Sequence, residues 1–243
     1  MSLSKNHIKL ITSLQQKKYR QKHQLFVAEG IKVVKEFLNS SFILDRIFVT
    51  DTDFLDDTIS NDKIIQISEI ELKKISQLKS PNKVLALFQI PEQDEIIDNR
   101  LTVVLDEIND PGNLGTIIRL CDWFGVSQLV CSKNTVDCYN QKVVQASMGS
   151  LTRIPITYLD IVDFVKNTEL PVFTADMDGD NVYKTELPKE AVLVMGNEAN
   201  GVSSVIMQLV KNKIAIPRFG NIQETESLNV ATATAILLSE FRR

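Results

Sequence analysis

Apolar and polar positions divide the chain into two stretches of different rhythm. In residues 5–23, Ile8, Leu10, Ile11 and Leu14 sit among many polar side chains at helical spacing, which predicts a helix. Short apolar runs follow at 25–28, 43–49, 63–67 and 84–90 and read as strands, with helices at 30–39 and near 69–78 between them. Together they predict a small α/β domain over residues 1–93. Residues 91–100 are polar and acidic and open with Pro91, which marks a linker. Beyond it, strands are expected at 101–105, 128–131, 154–159, 171–175, 191–195 and 213–216. Helices are expected at 113–124, 140–150, 161–167, 202–210 and 227–241. Strands that are apolar throughout and separated by helices predict a parallel sheet with helices on both faces, here over residues 100–243. Ligands of such sheets bind outside the carboxyl ends of the strands.

Composition narrows the function classes. The 243 residues are 44% hydrophobic and 24% charged, enough apolar material for a packed core. The net charge of −4 conceals an imbalance: residues 1–90 carry +4 and residues 91–243 carry −8. A chain basic all over is excluded, but a local basic patch is not. No apolar run approaches the roughly 20 residues that span a bilayer, and the first five residues lack the apolar stretch of a secretory signal, so the cytoplasm is the expected compartment. Cys121, Cys131 and Cys138 are too few and too widely spaced for a disulfide framework or a CxxC metal pair. Both histidines, His7 and His23, precede residue 25, which argues against a Ser-His-Asp triad, a Cys-His pair or a histidine-rich zinc site in the back domain.

Three strand ends carry polar, glycine-containing loops. The first runs from Asn109 through Pro111-Gly112-Asn113 to Arg119. Pro-Gly sets a turn, and a helix N-terminus with an arginine nearby holds anions. The same residues also suit an Asx-type turn capping a core helix, with Arg119 on a solvated face. The second is Met195-Gly196-Asn197-Glu198-Ala199-Asn200-Gly201, where two glycines permit close backbone approach to a flat ligand or a plain strand-to-helix turn. The third is Ile216-Pro217-Arg218-Phe219-Gly220 followed by Ser227-Leu228-Asn229-Val230-Ala231, with Ser227 as the expected N-cap of a helix rich in small residues. None matches GxGxxG or a Walker A loop, so a nicotinamide Rossmann site is a weak reading.

In this order and at these spacings, the three loops resemble the motifs of the SpoU (TrmH) family of RNA 2′-O-ribose methyltransferases, in the SPOUT class. Asn113 and Arg119 match its Asn-x5-Arg, Gly196 to Gly201 its Gly-Asn-Glu-x-x-Gly, and Ile216-Pro217 with Ser227 to Ala231 its third motif. The front domain, with Phe26-Val27-Ala28-Glu29-Gly30 before a helix, is similar to the family's L30e-like substrate-binding domain. The resemblance implies a deep C-terminal trefoil knot whose loops bind S-adenosylmethionine (AdoMet), with no metal. By position the cofactor site falls on Thr174, Ala175, Met195, Gly196, Asn197, Gly201, Ile216, Leu228 and Asn229. It also implies a homodimer through the knotted domains, helix 227–241 contributing. The implied catalytic set is Asn113, Arg119, Glu198, Ser227 and Asn229.

The implied reaction moves a methyl group to a ribose 2′-hydroxyl, whose proton must leave. The family assigns activation to Arg119, acting across the dimer. A guanidinium holds its proton too tightly to serve as a free base, which favours a milder role, clamping a phosphate and stabilising the developing alkoxide. Glu198 as a lone base is a further option, against a turn-stabilising carboxylate. Lys5, Lys9, Lys17, Lys18, Arg20 and Lys22 all precede the first acidic residue and supply the expected RNA contact, with Tyr19, His7 and His23 as stacking or hydrogen-bonding groups. A second expected RNA-facing loop is 79–83. Ribosomal RNA is the expected substrate. The alternatives are a tRNA 2′-O-methyltransferase, an inactive RNA-binding protein of the same fold, or a small-molecule enzyme on a doubly wound sheet.

Overall fold

The computed structural model describes residues 3–55, 59–92, 100–197, 199–221 and 227–243. The chain forms two compact units, Met1–Glu92 with Asp137–Thr152, and Gln93–Val136 with Arg153–Arg243.

In the first unit the predicted helix over 5–23 is two helices, α1 (Lys5–Ser13) and α2 (Lys17–His23). The break is fixed by Arg20, whose Nη1 reaches back to the carbonyls of Leu14 (2.8 Å) and Gln15 (3.0 Å). Then come β1 (Leu25–Glu29), α3 (Ile31–Leu38), β2 (Leu44–Val49), β3 (Ile64–Gln66), α4 (Glu69–Ile75) and β4 (Val84–Gln89). A capping box between Ser68 and Glu71 starts α4. The sheet order is β1-β4-β2-β3, with β4 antiparallel to both neighbours and β3 parallel to β2. Alternation along the strands sends Val27, Phe48, Leu85 and Leu87 into one core with Ile11 of α1, Leu14 at its C-cap and Leu72 of α4. Phe26 and Phe88 join Phe37 of α3 in an aromatic cluster.

The second unit holds β5 (Thr102–Leu105), α5 (Pro111–Trp123) and β6 (Gln128–Ser132). After β6 the chain makes α6 (Gln141–Ser147) and returns through β7 (Ile156–Leu159), α7 (Ile161–Asn167) and β8 (Val172–Asn181). It ends with β9 (Val192–Met195), α8 (Ser204–Leu209), β10 (Asn212–Ala215) and α9 (Val230–Phe241). The sheet order is β10-β8-β9-β5-β6-β7 and every neighbouring pair is parallel, as expected from the unbroken apolar strands. Val104, Val130, Val192 and Val194 pack on one face against α7 and α8 through Ile161, Val165 and Ile206. Phe173, of opposite parity to Val172, meets Phe241 of α9 at 5.5 Å between ring centroids.

Two features depart from the sequence pattern. Residues 140–150, read as part of the back piece, pack with the first unit. There the Tyr139 ring packs tilted against Phe26 at 4.8 Å between centroids, Gln141 Nε2 donates to Glu29, and Asp137 accepts from Arg20 Nε at 2.8 Å. Strand β8 is twice its expected length. Its register against β10 jumps from Thr174↔Lys213 to Asp180↔Ile214, so residues 175–179 leave the ladder. Gly179 allows this return: a Cβ there would lie 2.6 Å from the Ile214 nitrogen. The three cysteines are free and buried, and burial pushes the Cys121 thiol pKa up. No described helix is long and apolar enough to cross a membrane.

Candidate active site

The carboxyl ends of β5, β9 and β10 lead into the three loops. After β5, Glu107 adopts a left-handed backbone (φ +57°), and Asp110 caps α5 by accepting from the Asn113 amide at 2.8 Å. Pro111 occupies the first helical turn, where its missing N–H is harmless. Leu114, Ile117 and Ile118 are buried, which leaves Arg119 exposed on the same helix. Its guanidinium makes no ion pair among the described residues.

After β9 the chain doubles back. Asn197 and Gly201 exchange backbone hydrogen bonds of 3.0 and 2.8 Å, and the Asn197 carboxamide oxygen accepts from the amides of Ala199 and Asn200. Its Nδ2 donates to the Glu107 carbonyl at 2.8 Å, so this side chain braces the loop. Gly196 is required by the fold itself, since a Cβ would sit 2.1 Å from the Gly201 carbonyl carbon. Gly201 turns with φ +67°. Glu198 lies outside the described residues.

The third loop corrects the expected cap. Helix α9 starts at Val230, and Asn229, not Ser227, caps it by accepting from the amides of Ala231 and Thr232. The Asn229 Nδ2 then donates to Asn113 Oδ1 at 2.9 Å, joining residues 116 positions apart. The cap falls on Asn229 because one carboxamide both closes the helix and holds the first loop.

The second and third loops border a cavity of about 860 Å³. Met195, Gly196, Asn197 and Gly201 line it from the second loop, Ile216, Ser227 and Leu228 from the third, and Ala175 from the bulge in β8. Asn113, Arg119 and Asn229 do not line it, and neither does Thr174, which is fully buried with an unpartnered hydroxyl beside Ala175. The bulge adds Asp176 and Met177, and the third loop adds Arg218, whose Nη2 lies 3.1 Å from Met177 Sδ. Asp176 pairs with Lys213 at 3.3 Å. Nothing in the residue pattern of 171–181 announces the bulge, so the sequence alone does not single out Asp176 and Met177 as wall residues.

The model of the SpoU rRNA Methylase family matches residues 100–239. The chain belongs to the SpoU rRNA methylase family. A model of the MRM3-like substrate binding domain matches residues 5–86 of this SpoU protein. The 23S rRNA (guanosine(2553)-2′-O)-methyltransferase RlmP of Bacillus subtilis is 31% identical over 235 residues, covering 94% of this chain and 93% of its own. A TrmH-family protein from Porphyromonas gingivalis superposes with a TM-score of 0.90 at 37% identity, covering 99% of this chain and 98% of that one. An AdoMet-bound rRNA methyltransferase from Sinorhizobium meliloti superposes with a TM-score of 0.87 at 28% identity over 100% of this chain and 97% of its own.

The SpoU chain's expected RNA contacts separate in the structure. Lys5, Lys9, Lys17, Lys18 and Lys22 are exposed on α1 and α2. Tyr19 and His23 stack at 6.5 Å, with Lys18 Nζ 4.9 Å from the Tyr19 ring centre. Arg20 is a correction: it is 2% exposed, and its guanidinium is bound to Asp137 and to two backbone carbonyls. An arginine so enclosed serves the fold and is withheld from phosphate. His7 is a second correction, because its ring packs edge-on against Phe48 at 5.4 Å. Burial lowers its pKa, the Arg46 charge adding to the effect. In loop 79–83, Lys83 pairs with Asp51 at 2.9 Å.

Proposed function

We propose that this protein transfers the methyl group of AdoMet to a ribose 2′-hydroxyl of ribosomal RNA. One observation carries the reading: the second and third loops wall one cavity, and the 2.9 Å hydrogen bond between Asn229 and Asn113 ties the first loop to the third. The residues present fit AdoMet. The cavity of about 860 Å³ is of a size for a nucleoside cofactor. Met195, Ile216 and Leu228 give apolar surface for an adenine ring, and the loop backbones give hydrogen-bonding groups. The unpartnered, fully buried Thr174 hydroxyl stands beside the cavity wall.

Bound AdoMet supplies a methyl carbon activated by an adjacent sulfonium. The chain's residues must bring the ribose oxygen into line with that carbon and exclude water. The Arg119 guanidinium holds a phosphate beside the ribose and stabilises the oxygen as its proton leaves to phosphate or water. Asn113 and Asn229 set the relation of the Arg119 helix to the third loop. Ser227, on the cavity wall, orients the ribose, and Glu198 is retained as the alternative base.

In this reading the front domain, residues 1–93, is an L30e-like RNA-binding domain that grips phosphates through Lys5, Lys9, Lys17, Lys18 and Lys22. Residues 100–243 form the knotted methyltransferase domain. The run Ala231-Thr232-Ala233-Thr234-Ala235 suits an α9 threaded through a crowded knot. Two copies pair through α9, placing Arg119 of one at the cavity of the other, in the cytoplasm. RlmP names ribosomal RNA as its substrate, and the match of residues 5–86 to a substrate-binding model favours the same class here.

The test is calorimetric titration with AdoMet together with tritium transfer from labelled AdoMet to purified ribosomal and transfer RNA. Saturable binding and label in ribosomal RNA are expected. Label in transfer RNA alone would replace the substrate, and binding without transfer would leave an RNA-binding protein.

A further inference from the structure

Asp106 follows β5 and was not among the expected site residues, yet it touches both ends of the loop that walls the cavity. Its main-chain N–H donates to the Met195 carbonyl at 2.9 Å, where the loop begins. Its carboxylate Oδ2 accepts from the Ser203 amide at 2.8 Å, where the loop ends. The next residue holds the middle, since the Glu107 carbonyl accepts from Asn197 Nδ2 at 2.8 Å. The pair is itself anchored. Glu107 N–H donates to Ser132 Oγ at 2.9 Å, its carboxylate accepts from Asn134 Nδ2 at 2.7 Å, and Thr135 Oγ1 donates to the Leu105 carbonyl. Asp106 is 5% exposed, and Glu107 is held left-handed at φ +57°. A non-glycine residue keeps that backbone only where its surroundings over-determine it. Gly196, Asn197, Gly201 and Val202 of the clamped loop all line the cavity, whereas Asp106 does not.

We propose that Asp106 is a positioning residue that sets the shape of the AdoMet-binding loop by fixing its two ends at once, with the left-handed Glu107 carbonyl as the third point of the clamp. The inference rests on the AdoMet reading of the cavity. The required feature of Asp106 is an acceptor oxygen at one position, not its charge. Removing it leaves the Ser203 amide without a partner and frees the end of the loop.

The test measures AdoMet affinity by calorimetry for the wild type and for Asp106→Asn, Asp106→Glu and Asp106→Ala, with melting temperature and RNA affinity beside each. Asn keeps the acceptor in place and is expected within about threefold of the wild type. Ala loses it, and Glu carries it one methylene too far. Both are expected to bind AdoMet roughly tenfold more weakly or worse, the size of effect set by one unpaired buried N–H. RNA affinity should stay level across the series. A transfer assay should show the loss mainly as a raised KM for AdoMet, with kcat less affected. If the Ala chain does not fold, the Glu-against-Asn contrast reads the same quantity. A wild type that binds AdoMet while folded Ala and Glu variants bind it equally well overturns the assignment of Asp106. So does an Asn variant as weak as Ala, which would make charge the cause. A wild type that binds no AdoMet overturns the cofactor reading instead.

Discussion

Arg119 stands six residues after Asn113 on α5, exposed, on a helix whose other side is buried. Its contribution lies in aiming a guanidinium at an oxygen that gains negative character. Replacing Arg119 by Ala should lower methyl transfer by about a hundredfold or more while AdoMet affinity is unchanged, since one preorganised donor to a developing oxyanion is worth that much. Arg119→Lys should recover little of the loss, because a point charge lacks the planar fork that grips phosphate. Tritium transfer and calorimetry on the same preparations check both, and an Ala variant with full activity would remove Arg119 from the mechanism. At this scale the sequence was informative about identity and less so about role. The motifs single out both Asn113 and Asn229, but not their shared hydrogen bond, because no local pattern records a contact across 116 residues.

At the scale of elements, the paired helices α1 and α2 show why a charge run is an incomplete guide. Six basic residues read alike in the sequence, yet the helix break lets Arg20 turn inward to Asp137 while five lysines stay outside. The two kinds should behave oppositely. Neutralising Lys17, Lys18 and Lys22 together should weaken RNA binding and reduce the slope of log affinity against log salt by roughly 2 to 3, with the melting temperature nearly constant. Arg20→Ala should leave that slope alone and cost about 3 kcal/mol of stability, because the partly buried Asp137 carboxylate and two backbone carbonyls lose their donor. Filter binding across salt concentrations, paired with denaturant unfolding, separates them. An unchanged slope in the lysine variant would move the RNA surface elsewhere. Strand and helix types were legible because apolar periodicity reports burial directly. The bulge of β8 and the packing of residues 137–152 with the first unit were not. Both depend on partners distant in sequence: Lys213 and Ile214 for the bulge, Phe26, Glu29 and Arg20 for the segment.

Across the whole molecule, Glu29 gives the first unit a pH signature. Burial raises its carboxyl pKa, against hydrogen bonds from Ser76, Gln77 and Gln141 that pull it down. A carboxyl raised above its unfolded value favours the fold while protonated, so its contribution is present below the unfolded pKa of about 4.5 and is lost as pH rises through the folded value. Glu29→Gln should therefore gain on the wild type as pH rises from 4.5 towards 7. Melting curves of the two across that window check the sign, and a constant difference would contradict it. At this scale the chain is a SpoU enzyme that methylates a ribose 2′-hydroxyl of ribosomal RNA. The most direct measurement supplies AdoMet with a carbon-13 methyl group and unmodified ribosomal RNA, then weighs the digested nucleosides by mass spectrometry. The account predicts one labelled methyl per modified nucleoside on the ribose fragment. Label on the base fragment, or no label while AdoMet binds, would contradict it.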